Sequence, residues 1–140
     1  MKLSATILAI LAGLVFIVLP AAAAELIMFE QAGCPWCAAF NREIAPVYSM
    51  TWEGKRLPLR RVDIHAPIPD DLSYLRVERV TPVFVLTDGG QEIGRIRGYP
   101  GEDHFWGLLD NLLARLDRMQ NTHARYEANP VGTATSSIRN

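Results

Sequence analysis

Residues 26–37 read Leu26-Ile27-Met28-Phe29-Glu30-Gln31-Ala32-Gly33-Cys34-Pro35-Trp36-Cys37, a short apolar run followed at once by the only two cysteines of the 140-residue chain. The run Leu26 to Phe29 has strand character, and Ala38 to Val47 has helix character, with Phe40, Ile44 and Val47 on one face. Cys34 then stands at a helix N-terminus, where unpaired backbone N–H groups and the positive end of the dipole favour its thiolate. Pro35 suits the first helical position, because its ring pre-sets the dihedral and an N–H there has no partner to lose. Lowering a cysteine pKa from about 8.5 to about 7 takes roughly 2 kcal/mol, within reach of a helix terminus with local hydrogen bonds. With this spacing the two sulfurs can alternate between dithiol and disulfide by thiolate attack and mixed-disulfide exchange. The expected redox group is the Cys34–Cys37 disulfide itself, with no metal and no other cofactor.

Other uses of two cysteines are distinguishable. A four-ligand zinc site needs two more Cys or His at short spacing, whereas His65, His104 and His123 stand singly. Covalent haem attachment needs His directly after the second cysteine, and Ala38 occupies that place. A Cu(I) carrier remains open, since soft thiolates suit that ion; Met28 is the one neighbouring soft ligand, expected in the core. A redox-inert docking module is disfavoured by the intact motif.

Met1 to Ala24 carries one charge, Lys2, then an uncharged run from Leu3 to Leu19, then Pro20 and four alanines before Glu25. This pattern reads as a secretory signal cleaved near Ala24. A retained membrane anchor is the rival, because about 17 apolar residues is the lower limit for a span. Setting the segment aside leaves 116 residues, one domain's worth, with 13 basic against 15 acidic side chains. That balance gives no indication of nucleic-acid binding. In an exported protein cysteines usually make structural bridges; here both belong to one local pair, which reads as a tool. The domain is expected over 25–120, with a flexible tail over 121–140 where the composition turns polar.

Beyond the motif, Pro46 ends or kinks the first helix. Thr51 to Lys55 reads as a loop turning at Gly54. Leu57 to Ile64 reads as a strand with Pro58 at its start or on an edge, and Asp70 or Asp71 caps a short helix to about Val77 with Leu72 and Leu75 inward. Thr81 to Leu86 is an apolar run of a strand buried on both faces. Asp88-Gly89-Gly90 is a hairpin turn, returning along Gln91 to Gly98 with a bulge near Gly94. Glu102 and Asp103 open a last helix whose stripe is Phe105, Leu108, Leu109, Leu112, Leu113 and Leu116. Arg60, Arg61, Arg95 and Arg97 form either a basic rim for an acidic partner or solvated strand edges.

The order β-α-β-α-β-β-α, with Gly33-Cys34-Pro35-Trp36-Cys37, Val80-Thr81-Pro82 before a buried strand, and Asp88-Gly89-Gly90 leading to Gly98-Tyr99, resembles the thioredoxin superfamily over about Glu25 to Arg118. With the signal segment, Phe29 to Cys37 is most similar to small periplasmic bacterial thioredoxins associated with the sulfur-oxidation (Sox) system. The resemblance implies an α/β thioredoxin fold, a central mixed sheet flanked by helices. It also implies a cis Thr81-Pro82 bond beside the redox pair, where an X-Pro bond alone would be expected trans. The Thr81 backbone would then pair with an extended substrate segment as an added strand.

The implied activity is thiol-disulfide exchange, with Cys34 as nucleophile and Cys37 as resolving thiol, reducing an oxidised client protein in the periplasm. A membrane thiol-disulfide donor would recharge the pair, and the protein is read as a monomer, touching membrane only through its signal segment. An oxidase or isomerase is the rival direction, since about 30 mV shifts the equilibrium tenfold. Two departures bear on tuning. The Pro35-Trp36 dipeptide replaces Gly-Pro, with Trp36 as an exposed partner-facing aromatic or a shield for the disulfide. Met28 replaces the usual buried Asp. Glu30 lies two residues on, on the same face, and is either a proton acceptor for Cys37 or a solvated strand-end carboxylate.

Overall fold

Among the described residues, the apolar runs Leu26 to Phe29 and Val83 to Leu86 become the two central strands of a four-stranded sheet. The structure, a computed structural model, describes residues 23–129. Its elements are β1 (Glu25–Glu30), α1 (Pro35–Glu43), α2 (Ala45–Tyr48), α3 (Trp52–Arg56), β2 (Leu59–Asp63), a 3-10 turn (Asp70–Leu72), β3 (Val83–Asp88), β4 (Gln91–Arg97) and α4 (Glu102–Ala128). The order in the sheet is β2-β1-β3-β4, β2 running parallel to β1 and the other pairs antiparallel. The expected α/β mixed sheet is therefore present. Cleavage or retention of the signal segment concerns residues that, up to 22, lie outside those described, as do residues 130–140.

Side-chain alternation along β1 and β3 builds a core on each face. Leu26, Met28, Phe84 and Leu86 point to one side, where Phe40 and Ile44 of the α1 region and Phe105, Leu109, Leu113 and Leu116 of α4 cover them. Ile27, Phe29, Val83 and Val85 point to the other, covered by Leu72 and Leu75. Burying each such side chain stabilises the fold by roughly 1.5–3 kcal/mol before conformational entropy is counted. The hairpin turn forms at Gly89 and Gly90, both at positive φ (57° and 75°). The bulge falls at Ile93, between the pairs Leu86–Gly94 and Thr87–Glu92. That extra residue turns Ile93 into the same core as Ile96, and Gly94 lets α4 close in, since a Cβ there would meet Leu112 at 2.7 Å.

Several expectations are corrected. The helix from Asp70 to Val77 is only the 3-10 turn Asp70–Leu72. Asp71 is drawn to Arg60 instead of capping (2.5 and 3.0 Å), and the Arg76 carbonyl accepts from Arg95 (3.1 Å). Leu72 and Leu75 are nonetheless buried, as read. Thr51 to Lys55 is not a loop: α3 is capped by the Thr51 hydroxyl, which accepts from the Gly54 N–H at 3.1 Å. The segment from Asn121 continues α4 as helix to Ala128. At 1.5 Å per residue this helix is about 40 Å long, so it overhangs the sheet, and Gln120 donating to Asp88 (3.0 Å) is its contact with the hairpin end. Leu108, assigned to the buried stripe, is 41% exposed.

Gly54 has a stricter role than turning the chain. A Cβ on it would lie 1.8 Å from the Tyr48 carbonyl oxygen. Gly54→Ala is expected to lower stability by about 1–3 kcal/mol through backbone displacement, read as a lower denaturant midpoint at unchanged slope. An unchanged midpoint would show that α2 and α3 separate freely.

Candidate active site

The chain leaves β1 through Gln31-Ala32-Gly33 and enters α1 at Cys34. The Cys34 N–H bonds to the Gln31 carbonyl at 3.4 Å, and Gly33 adopts φ 75°, a conformation that glycine accommodates without strain. Cys34 is the N-cap of α1 in extended conformation (φ −76°, ψ 114°), with Pro35 opening the helix. The backbone N–H of Cys37 points at the Cys34 sulfur, 3.1 Å away. The two cysteines form a disulfide with their Cα atoms 5.3 Å apart. Cys34 keeps 8% of its surface and Cys37 3%. Access is thus narrower than a helix terminus alone implies, and it favours Cys34.

The Thr81-Pro82 bond is cis, and the Thr81 carbonyl oxygen lies 3.4 Å from the Cys34 sulfur. In the reduced protein a Cys34 thiol at that place has this carbonyl as an acceptor. Behind the turn, the Gly98 N–H donates to the Pro82 carbonyl at 2.8 Å, tying it to the end of β4. The connection into it is held by Glu78, which accepts from Arg95 (2.6 Å) and from Arg97 (2.8 Å). Hydrogen bonds from Arg97 and Arg95, exceeding the opposing effect of burial, hold the Glu78 carboxyl at about 2. Trp36 is 61% exposed on the first turn of α1, and Val80 is exposed beside Thr81.

On the β2 side of the disulfide lies an open cleft of about 530 Å³, lined among others by Glu30, Gln31, Cys34, Cys37, Asn41 and Asp63. Glu30 closes β1 and faces α1, but it is not a free carboxylate. Arg61 grips both its oxygens, Nε to Oε1 at 2.7 Å and Nη2 to Oε2 at 2.6 Å. The same Nη2 donates to Asn41 Oδ1 on α1 at 2.6 Å, and this hydrogen bonding to Glu30 holds the guanidinium above its ordinary range. At the far end of α1, the Tyr99 hydroxyl donates to Glu43 at 2.7 Å while its ring meets Phe40 edge-on at 5.7 Å. Burial, then the bond to Glu43, raises the Tyr99 pKa.

The structure thus brings Cys34, Cys37, Pro35, Thr81 and Pro82 together, places Trp36 on the rim and puts Glu30 in the adjoining cleft. Sequence reading missed Arg61 and Asn41 as its neighbours, and Tyr99 as the brace of α1. One signal was available, since Asn41 follows Cys37 by four residues and so shares its helix face. A basic rim is not present: Arg60 pairs with Asp71 and Glu25, Arg61 with Glu30, Arg95 with Glu92 and Glu78, and Arg97 with Glu78. Met28 is fully buried in the core. Among the described residues no three His, Cys, Asp or Glu side chains converge on a point that would hold a metal ion.

A disulfide at a helix N-terminus, faced by the Thr81 carbonyl that precedes a cis-proline, on this strand order, is built for thiol-disulfide exchange, and the chain belongs to the thioredoxin superfamily as such an oxidoreductase. It is 45% identical to the periplasmic thioredoxin SoxS from Paracoccus pantotrophus, known from a crystal structure of its reduced form. The match covers 66% of this chain and 98% of that one, with a TM-score of 0.63. It is also similar to Trxlp from Edwardsiella tarda EIB202, at 25% identity over 66% of this chain and 84% of that one, with a TM-score of 0.51. No family model matches the chain, and no curated protein does.

Proposed function

We propose that the protein is a periplasmic reductase that returns oxidised cysteines of a client protein to thiols, the client being a component of a sulfur-oxidation system. The observation that carries this reading is the 45% identity to a periplasmic thioredoxin over 98% of that protein's length. In the reduced state the Cys34 thiolate, held by the Cys37 N–H, attacks one sulfur of the client disulfide. The client's other sulfur leaves as a thiolate and is protonated. Cys37, deprotonated in turn, attacks Cys34, releasing the second client thiol and leaving the Cys34–Cys37 disulfide. Resolution is fast because an attached thiol has a far higher effective concentration than one in solution. The extended backbone of Thr81 positions the client segment as an added strand beside Cys34, and Trp36 meets it at the rim. A membrane thiol-disulfide carrier supplies the two electrons that regenerate the dithiol.

Cys37→Ser tests the scheme. The variant is expected to accumulate a covalent adduct through Cys34 when the reduced protein meets its native extract, and mass spectrometry of the adduct identifies the client. If a competent disulfide substrate is consumed and no adduct forms, the two-thiol scheme is wrong.

A further inference from the structure

We propose that the Glu30–Arg61 pair, moored to α1 through Asn41, cancels the carboxylate charge beside Cys37, and that Arg61 is a positioning residue for the resolving step. The inference rests on the reading of Cys37 as the resolving thiol. Three hydrogen bonds of 2.6–2.7 Å from one guanidinium join β1, β2 and α1. The point they join is a wall of the cleft that Cys37 also lines, and Asn41 stands one helical turn beyond Cys37. A bidentate arginine fork fixes the place of a carboxylate and sets a positive charge against it.

The charges that bear on Cys37 from this side are few. Glu30 comes from β1, and Arg61 and Asp63 from β2, while α1 adds the neutral amide of Asn41. Gln31 brings His65, whose Nε2 lies 2.9 Å from the Gln31 Oε1. Thr81 and Pro82, opposite, are uncharged. When Cys37 loses its proton to attack Cys34, a second negative charge develops beside this cleft. An unpaired Glu30 carboxylate would oppose that charge, and Arg61 removes the opposition without donating to the sulfur.

The signs of the expected effects separate this role from its rivals. The pH midpoint of Cys37 ionisation, followed by thiolate absorbance in a Cys34→Ser background, is expected to rise in Arg61→Gln by roughly half to one unit. Glu30→Gln leaves Arg61 uncompensated, and the midpoint is expected to fall by a similar amount. The double variant and Arg61→Lys are expected near the parent value, and the double variant guards against misfolding from a lone unpaired charge. Equal shifts of the same sign in both single variants would mean a merely structural tie, and no shift would mean the pair does not reach Cys37; either overturns the proposal. Slower resolution in Glu30→Gln without a lowered midpoint would make Glu30 the proton acceptor itself, and also overturns it. Failure of Cys34 to form a mixed disulfide in the Cys37→Ser protein would instead strike the exchange scheme.

Discussion

Cys34→Ser is expected to abolish disulfide exchange, lowering turnover of a protein disulfide by roughly three orders of magnitude or more, as removal of a covalent nucleophile does. A serine hydroxyl does not ionise at neutral pH even at a helix N-terminus, and oxygen forms no exchangeable bond to sulfur. Cys37 cannot take over, because it keeps only 3% of its surface and lies behind Cys34 on the first turn. The fold should survive. The disulfide closes a loop of four residues, whose loss is worth about 2 kcal/mol in the chain-entropy model, and the cores on both sheet faces are untouched. The measurement is turnover of an insulin-type disulfide beside an unfolding curve for the same sample. Turnover within tenfold of the parent would mean that Cys37 is the attacking sulfur, and the assigned roles would reverse.

What the sequence made legible were the features carried by neighbouring residues. The Cys34 cap, Pro35 at the helix start, the Gly89-Gly90 turn and the Phe105-Leu109-Leu113-Leu116 seam each depend on contacts a few positions apart or on one periodicity. What it hid were pairings across elements. Arg61 meets Glu30 only because β2 lies parallel to β1 with Met28 opposite Arg61 and Glu30 opposite Asp63, a register that no local pattern states. The same holds for Glu78, whose two arginines come from β4. The missing helix after Asp70 and the added one after Thr51 are two sides of one effect. Tertiary partners took the Asp71 side chain and the Arg76 carbonyl from the first, while the absent Cβ of Gly54 admitted the Tyr48 carbonyl to the second. The end of α4 beyond Gln120 is exposed on all sides and carries no apolar stripe, so its helix leaves no periodic trace.

Phe105→Ala is expected to destabilise the protein by about 3–5 kcal/mol, the range for deleting a fully buried phenylalanine. Its ring has no exposed surface. It lies 5.0 Å from Phe84 on the sheet, 5.2 Å from Phe40 on α1, 5.5 Å from Trp106 and 6.0 Å from Tyr99. All but the tilted Tyr99 pair are edge-on, and such pairs add roughly 0.5–1.5 kcal/mol each beyond area burial. The position also concerns the site, since Phe40 follows Cys37 by one turn and is seated on Phe105, with Tyr99 bracing the same helix through Glu43. A cavity at 105 therefore loosens the floor of α1, whereas one at the lower end of α4, under Leu116, does not. Phe105→Ala and Leu116→Ala should both lower the denaturation midpoint, and only the first should slow exchange in the fraction that remains folded. A loss of under 1 kcal/mol at Phe105 would contradict the packing, and equal exchange rates in the two folded variants would contradict the coupling of this aromatic cluster to the cysteines.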